Sequence, residues 1–100
     1  EGYTNPEELF AAGLSACFNG ALSFPLQRDG LGDRQRQVRA EVVLLGDLPD
    51  TNSLHLAAKL IVSIEGLSPE ETLRYVQETE NICPYTKAVK GNIEVELVAE

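Results

Sequence analysis

The two cysteines are the residues of this sequence best suited to nucleophilic or redox chemistry. Cys17 lies within a long apolar stretch, and Cys83 directly precedes Pro84. A free cysteine is most often a small core residue, so packing is one interpretation of each. The other is that their helices pack together and bring the Cα atoms within about 7 Å, which permits a disulfide. In an acidic cytosolic protein such a pair typically serves as a transient catalytic or sensing disulfide.

A reactive thiol at Cys17 requires a lowered pKa, which a nearby cation or a helix N-terminus supplies. Cys17 is expected in the middle of a helix, where the dipole contributes little, so an arginine from elsewhere in the fold is needed. Glu7 could hold that arginine, but ten residues of continuous helix rise about 15 Å. Three alternatives stay open: Gly13 breaks the helix, acid and thiol meet across a dimer interface, or an arginine spans the gap.

Other chemistries have little support in the composition. His55 is the one histidine, and its strand-like surroundings predict a surface or structural role. One histidine and no CxxC motif exclude the common zinc patterns, and no cofactor is expected. The 16 acidic and 8 basic residues give a net charge of −8, which disfavours nucleic acid and anionic membranes as partners. An arginine cluster is expected to be a solvated loop: Arg28, Arg34, Arg36 and Arg39.

Cap residues and apolar spacing predict the elements that position the cysteines. Asn5 and Pro6 match a helix start, and Pro25 is expected to end that helix. The predicted order of a single α+β domain is helix, strand, strand, helix, strand, at residues 5–24, 38–45, 54–65, 68–83 and 92–98. The two central strands predict an antiparallel hairpin, and Pro84 is expected to end the second helix.

The first helix needs a covering surface. Residues 9–27 contain no charged side chain, yet glycine, serine and asparagine make this segment too polar and too short for a membrane span. Such a helix is normally buried on nearly all sides, which a chain of 100 residues cannot achieve alone. Because the chain starts without Met, we expect it to lack N-terminal strands of a longer polypeptide. Those strands, a second copy of the chain, or both would cover the helix, and a homodimer is the sharper prediction.

Two motifs resemble those of the OsmC/Ohr family. The first is Asn-Pro-Glu-Glu-Leu-Phe-Ala-Ala-Gly at 5–13 with Ser-Ala-Cys-Phe at 15–18, and the second is Cys-Pro-Tyr at 83–85 with Lys-Gly-Asn-Ile-Glu-Val at 90–95. Each motif contains a cysteine, and the resemblance covers essentially the whole chain. The tyrosine after Cys-Pro and the Gly-Asn-Ile segment resemble the organic hydroperoxide resistance branch.

The resemblance implies a fold with two central helices, one almost fully buried, covered by antiparallel sheet in an intertwined homodimer. It also implies a thiol-dependent peroxidase, in which Cys17 attacks an organic hydroperoxide and becomes a sulfenic acid. Cys83 would resolve this acid to a disulfide, and a dithiol, in this family typically a lipoyl group on a carrier protein, would reduce it. Glu7 matches the glutamate that holds the family's catalytic arginine.

The arginine itself is carried over onto no residue, because the family places it in an N-terminal strand region that has no counterpart here. Phe10, Leu14 and Phe18 are expected to give Cys17 apolar surroundings that suit an alkyl hydroperoxide better than hydrogen peroxide. The expected protein is therefore a cytoplasmic peroxidase that needs no metal. The alternatives are an OsmC-type peroxidase of broader substrate range and a non-catalytic dimeric module that binds a ligand with the same fold.

Overall fold

The computed structural model describes residues 5–100, which form three helices and one three-stranded sheet. The elements are α1 (Pro6–Arg28), β1 (Arg36–Asp47), β2 (Asp50–Ile64), α2 (Pro69–Glu80), α3 (Pro84–Val89) and β3 (Glu94–Ala99). The strand order is β1-β2-β3, and the core lies between the helices and one face of the sheet. This arrangement confirms the α+β class.

The first helix begins as predicted but ends later. The Asn5 side chain accepts a hydrogen bond from the Glu8 N–H at 2.8 Å, which caps the first turn. Pro25 lies inside α1, so the predicted end at residue 24 is wrong. A proline in a helix leaves one carbonyl of the preceding turn without its donor. Burial offsets this loss, because Pro25 and the neighbouring Leu26 both pack in the core.

The hairpin is confirmed, and its strands are longer than predicted. β1 and β2 pair antiparallel, with Val38 opposite Val62, and only residues 48 and 49 separate the two strands. A register shift beside Gly46 accommodates the tight end of the hairpin. Gly46 has φ +127°, and a Cβ there would lie 2.6 Å from the Ser53 carbonyl oxygen. This position therefore requires glycine.

The third strand corrects the expectation of a purely antiparallel sheet. β3 pairs with β2 in parallel, with Leu97 opposite Leu60. The physical reason is the connection: the chain leaves β2, crosses over through α2 and α3, and returns beside β2 in the same direction. Parallel neighbours require such a crossover. The strand itself spans Glu94–Ala99 rather than 92–98.

The predicted second helix, 68–83, ends earlier than expected, and a third helix that was not predicted follows it. Ser68 and Glu71 form a capping box at the start of α2, as the sequence pattern indicates. α2 ends at Glu80, a short turn follows, and Pro84 occupies the first turn of α3. The prediction that Pro84 ends a helix is therefore wrong. A proline fits the first helical position because its missing N–H has no helical acceptor there.

Residues 5–100 cover one side of α1 and leave the other exposed. Leu14, Phe18 and Leu22 are fully buried against the sheet. The opposite side is open, and we call it the uncovered α1 face; its residues are Leu9, Ala12, Ala16, Gly20 and Phe24. The two large members, Leu9 and Phe24, are 62% and 64% exposed. The almost complete burial expected for this helix thus requires a surface beyond the described residues.

The length of α1 also corrects an expectation. With 23 residues and a mean hydropathy of 1.4 over its best window, α1 is long and apolar enough to cross a membrane by length and composition alone. The expectation that this segment is too polar and too short for a membrane span is therefore wrong. A core helix of a globular protein passes the same test, and α1 packs one side against the sheet as such a helix does.

The packing of the core predicts the cost of truncating a central side chain. Leu60 has no exposed surface, whereas Leu48 at the hairpin tip is 76% exposed. We expect Leu60→Ala to lower the free energy of unfolding by about 2–5 kcal/mol because it leaves a cavity. The chemically identical change Leu48→Ala should cost under about 0.5 kcal/mol. Urea unfolding followed by circular dichroism measures both, and equal losses would contradict this description of the core.

Candidate functional site

The two cysteines meet where α3 packs against α1. Their Sγ atoms are 3.2 Å apart, and both are free thiols. Cys83 has no exposed surface, while Cys17 is half-buried. A disulfide bond is about 2.05 Å long, so its formation requires the sulfurs to approach by about 1.2 Å. The expectation that the helices bring these thiols within disulfide reach is confirmed.

The turn between α2 and α3 positions Cys83. The N–H groups of Ile82 and Cys83 both donate to the Thr79 carbonyl, at 2.9 Å each. The buried Thr86 hydroxyl lies 2.7 Å from the Glu80 carbonyl oxygen and 3.0 Å from that of Cys83. These bonds close the turn around the Cys83 backbone. They hold Cys83 as the N-cap residue of α3, at the end of the helix that touches α1.

Tyr85 contacts α1 in two ways. Its backbone N–H donates a hydrogen bond to the Cys17 sulfur. Its ring lies over Gly13, where a Cβ would stand 3.1 Å from the ring atom Cε2. Sequence reasoning assigned Tyr85 no role and missed Thr86. The available signal is Pro84, because a proline at a helix start marks free N–H groups in that turn.

The electrostatic environment disfavours the thiolate at Cys17. Burial raises the pKa of the Cys17 thiol above its ordinary value, and the hydrogen bond with Cys83 raises it further. The Tyr85 amide lowers this pKa, but its effect is smaller. The surroundings that residues 5–100 provide therefore favour the neutral thiol of Cys17 at pH 7. The thiolate is the nucleophilic form of cysteine. The described residues therefore bring the two sulfurs together but do not lower the pKa of Cys17.

Of the five arginines, all of which lie among the described residues, four bind partners other than Cys17 and one is exposed. Their partners are Asp29 and Glu78 for Arg28, the Glu65 carbonyl for Arg34, Asn19 for Arg36, and Glu100 for Arg39. Arg74 is exposed on α2. Arg28, together with the Tyr75 hydroxyl, holds the pKa of Asp29 at about 2. The expected arginine loop is therefore wrong for residue 28, which ends α1, and for residues 36 and 39, which lie on β1.

Glu7 lies in the first turn of α1 and forms no ion pair within residues 5–100. Because α1 is continuous through Gly13, the alternative in which Gly13 breaks the helix is excluded. Glu7 and Cys17 of one chain are thus separated by about 15 Å of helical rise. The other two alternatives stand, namely an arginine that spans the gap and a meeting across a dimer interface.

The apolar residues predicted near Cys17 differ in exposure. Phe10 is partly buried and packs against the core, whereas Leu14 and Phe18 have no exposed surface. Within the single chain these two residues are core, and only Phe10 reaches the surface. His55 lies on the exposed hairpin, where its Nδ1 donates to the Ser53 carbonyl at 2.8 Å. It belongs to β2 and forms no part of the thiol pair.

The fold and the adjacent thiols define a small α+β thiol protein, and comparison with known proteins identifies its family. The chain belongs to the OsmC-like protein family, whose model matches residues 1–98. It is 44% identical over 94 residues to the "organic hydroperoxide resistance protein-like 2" of Staphylococcus epidermidis. That match covers 94% of this chain and 66% of the relative. The chain thus spans just under two thirds of the length of this relative.

Solved structures place the chain in the same group. The organic hydroperoxide resistance protein OhrB of Bacillus subtilis superposes with a TM-score of 0.88 at 32% identity, over 100% of this chain and 73% of that one. An organic hydroperoxide resistance protein from Elizabethkingia anophelis superposes with a TM-score of 0.84 at 35% identity, over 97% and 68%. The predicted resemblance to the organic hydroperoxide resistance branch is confirmed.

The raised pKa of Cys17 predicts its reactivity. Below the pKa the thiolate fraction changes about tenfold per pH unit, so alkylation of Cys17 by iodoacetamide should be slow at pH 7. Its rate should still be rising at pH 9, where free glutathione, with an ordinary thiol pKa of about 8.5, is levelling off. Peptide mapping by mass spectrometry separates Cys17 from Cys83. A Cys17 rate that levels off below pH 8 would contradict this prediction and would indicate a cation beside Cys17 that lies outside the described residues.

Proposed function

We propose that this chain belongs to a thiol-dependent peroxidase that reduces organic hydroperoxides to alcohols. The single observation that carries the proposal is the 3.2 Å separation of the Cys17 and Cys83 sulfurs. Each cysteine lies in a motif of the family, and the printed names of several relatives refer to organic hydroperoxide resistance. Contact between two free thiols at a helix junction is what a reversible catalytic disulfide requires.

The reaction consists of two steps on this chain. The Cys17 thiolate attacks the terminal peroxide oxygen and breaks the O–O bond; with one proton the products are an alcohol and a Cys17 sulfenic acid. The Cys83 thiol then attacks the sulfenic sulfur, which releases water and forms the Cys17–Cys83 disulfide. A dithiol, which we propose to be a lipoyl group on a carrier protein, returns both cysteines to thiols by exchange.

The nucleophile needs a cation to offset the cost of burial. We assign Glu7 the role of holding an arginine that faces the Cys17 thiolate, as the family resemblance implies. The arginines within residues 5–100 have other partners or are exposed on α2. The proposed arginine therefore comes from outside the described residues. A positive charge beside a half-buried sulfur is screened less than one in bulk water, so it lowers the thiol pKa effectively.

The proposed substrate is an organic hydroperoxide with an apolar group. Phe10 lies on α1 about two helical turns before Cys17 and is partly exposed, so it can contact the alkyl part of a substrate whose peroxide group reaches Cys17. Leu14 and Phe18 are buried in the core, where they lower the polarity on the inner side of α1. Apolar surface favours an alkyl hydroperoxide over hydrogen peroxide, since burial of the alkyl group adds binding free energy. The proposed location is the cytoplasm, where lipoyl-bearing enzymes are found and thiols are kept reduced.

The proposed reaction predicts a mass change. One equivalent of tert-butyl hydroperoxide, added to the reduced protein without a reductant, should lower its intact mass by two hydrogens as both thiols disappear. Mass spectrometry with thiol titration measures this. Cys17→Ser should leave the mass unchanged, and Cys83→Ser should retain one added oxygen because its sulfenic acid has no resolving thiol. Equal peroxide consumption by wild type and Cys17→Ser would contradict the assignment.

A non-catalytic dimeric module that binds a ligand is the second candidate. The raised pKa of the Cys17 thiol favours it, because an unactivated thiol suits a structural role. An unchanged mass with tert-butyl hydroperoxide, together with a Cys17 pKa above its ordinary value, would favour this candidate. An OsmC-type peroxidase of broader substrate range is distinguished by the rates with cumene hydroperoxide and hydrogen peroxide, which should be similar for that type.

We further propose that the functional form is a homodimer in which two copies of the uncovered α1 face meet. Ala12, Ala16 and Gly20 recur every four residues on this face, and such small residues let a second helix approach closely. Leu9 and Phe24 flank them and are more than half exposed. Contact between two copies would remove this apolar surface from water, which is the main driving force of association.

The homodimer predicts the effect of a charge at its centre. Ala16→Glu would bury a carboxylate opposite its own symmetry mate, which is strongly unfavourable, so the variant should sediment as a monomer. The matched control is Gln77→Glu, which adds the same charge on the exposed side of α2 and should leave the dimer intact. Analytical ultracentrifugation measures both. Dimeric Ala16→Glu, or monomeric wild type, would contradict the proposed interface.

A further inference from the structure

The backbone conformation at position 13 does not require a glycine. Gly13 lies inside α1, and its φ is not positive, so any residue could adopt its conformation. Glycine in a helix interior is less favourable than alanine. The three atoms outside α1 that a Cβ would approach most closely all belong to the Tyr85 side chain, and the nearest is Cε2 at 3.1 Å. At Gly20, on the same helix, a Cβ would meet nothing within 4 Å.

Burial does not explain why the Tyr85 ring lies on α1, because 46% of the residue is exposed. A ring so exposed contributes less to the core than the fully buried aromatic Phe18. Because Tyr85 follows Cys83 by two residues, the position of its ring affects the position of Cys83. A ring fixed on α1 also fixes the first turn of α3, which begins with Cys83 as N-cap.

We infer that the Tyr85 ring and the bare surface of Gly13 form a positioning pair that holds Cys83 and the Tyr85 amide against Cys17. The inference rests on the proposed thiol chemistry, because it concerns the two sulfurs that would carry out that chemistry. Thr86 fixes the same turn from the side of α2 through the Glu80 and Cys83 carbonyls. Tyr85 fixes it from the side of α1. Together they leave the Cys83 sulfur little freedom to move away from its partner at 3.2 Å.

The pair predicts how the dithiol–disulfide equilibrium responds to substitution. The measured reaction is Cys17–SH plus Cys83–SH plus oxidised glutathione, giving the protein disulfide and two reduced glutathiones. Gly13→Ala pushes the ring outward, and Tyr85→Ala removes it. We expect each to lower the equilibrium constant about tenfold, which is about 30 mV for this two-electron couple. Tyr85→Phe keeps the ring and should match wild type.

The double variant tests whether the two residues act together. In Gly13→Ala/Tyr85→Ala the added methyl meets no ring, so its equilibrium constant should equal that of Tyr85→Ala alone. Contacting residues show such non-additivity, whereas independent sites add. An additive double variant would overturn the positioning pair. So would single variants whose equilibrium constants equal that of wild type.

A second readout separates positioning from stability. In a Cys83→Ser background only Cys17 can be alkylated, and its pH profile reports its pKa. Loss of the ring should loosen the Tyr85 amide from the sulfur, so Gly13→Ala and Tyr85→Ala should move the profile to higher pH. A residue that only stabilises the fold would leave the profile of the folded protein unchanged, and that result would overturn the inference. Circular dichroism confirms folding; if Gly13→Ala does not fold, Tyr85→Ala against Tyr85→Phe decides alone.

Neither readout uses a peroxide, so the inference and the proposed function can fail separately. A protein that does not react with tert-butyl hydroperoxide can still show the predicted glutathione equilibria, which would support the positioning pair while contradicting the peroxidase. The opposite result is a protein that forms its disulfide with peroxide while substitutions at Gly13 and Tyr85 leave the glutathione equilibrium constant unchanged. That result would support the peroxidase and contradict the positioning pair.

Discussion

The close approach of α3 to α1 is the interaction on which the site depends. Small side chains at the contact make it possible, since Gly13 has no Cβ in the path of Tyr85 and Cys17 is itself small. The two sulfurs belong to segments that are distant in sequence, and only this helix contact brings them to 3.2 Å. The crossover from β2 to β3 positions α3, because the parallel pairing of those strands sets where the intervening helices lie. The chemistry therefore depends on the topology of the sheet as well as on the two motifs.

Placing the thiols and activating them are separate physical tasks, and the described residues perform the first. Burial of Cys83 and partial burial of Cys17 hold the sulfurs together, but the same burial raises the Cys17 pKa. A hydrogen bond from one backbone amide does not offset desolvation. A cation would do so, and low polarity strengthens its effect because the charge is screened less. The apolar surroundings that suit an alkyl substrate thus also make the thiol dependent on a positive partner.

Sequence patterns predicted most elements because caps and apolar alternation are local signals. Asn5 and Ser68 begin helices as expected, and the hairpin has the predicted antiparallel pairing. The errors have non-local causes. Pro25 stays helical because the core buries it, and the direction of β3 depends on a crossover that no single segment encodes. The cysteines were found from their family motifs and helical spacing, whereas Tyr85 and Thr86 act through contacts that exist only once α3 is folded against α1 and α2.

The two sides of α1 connect assembly to chemistry. Cys17 lies at the boundary between the buried side, with Leu14 and Phe18, and the uncovered α1 face, with Ala16. In the proposed homodimer a second copy covers that face and removes more water from the neighbourhood of the sulfur. Desolvation of this kind raises a thiol pKa. Association without a cation would therefore leave Cys17 less reactive than in the single chain, so the arginine assigned to Glu7 has to face the thiolate in the assembled dimer as well.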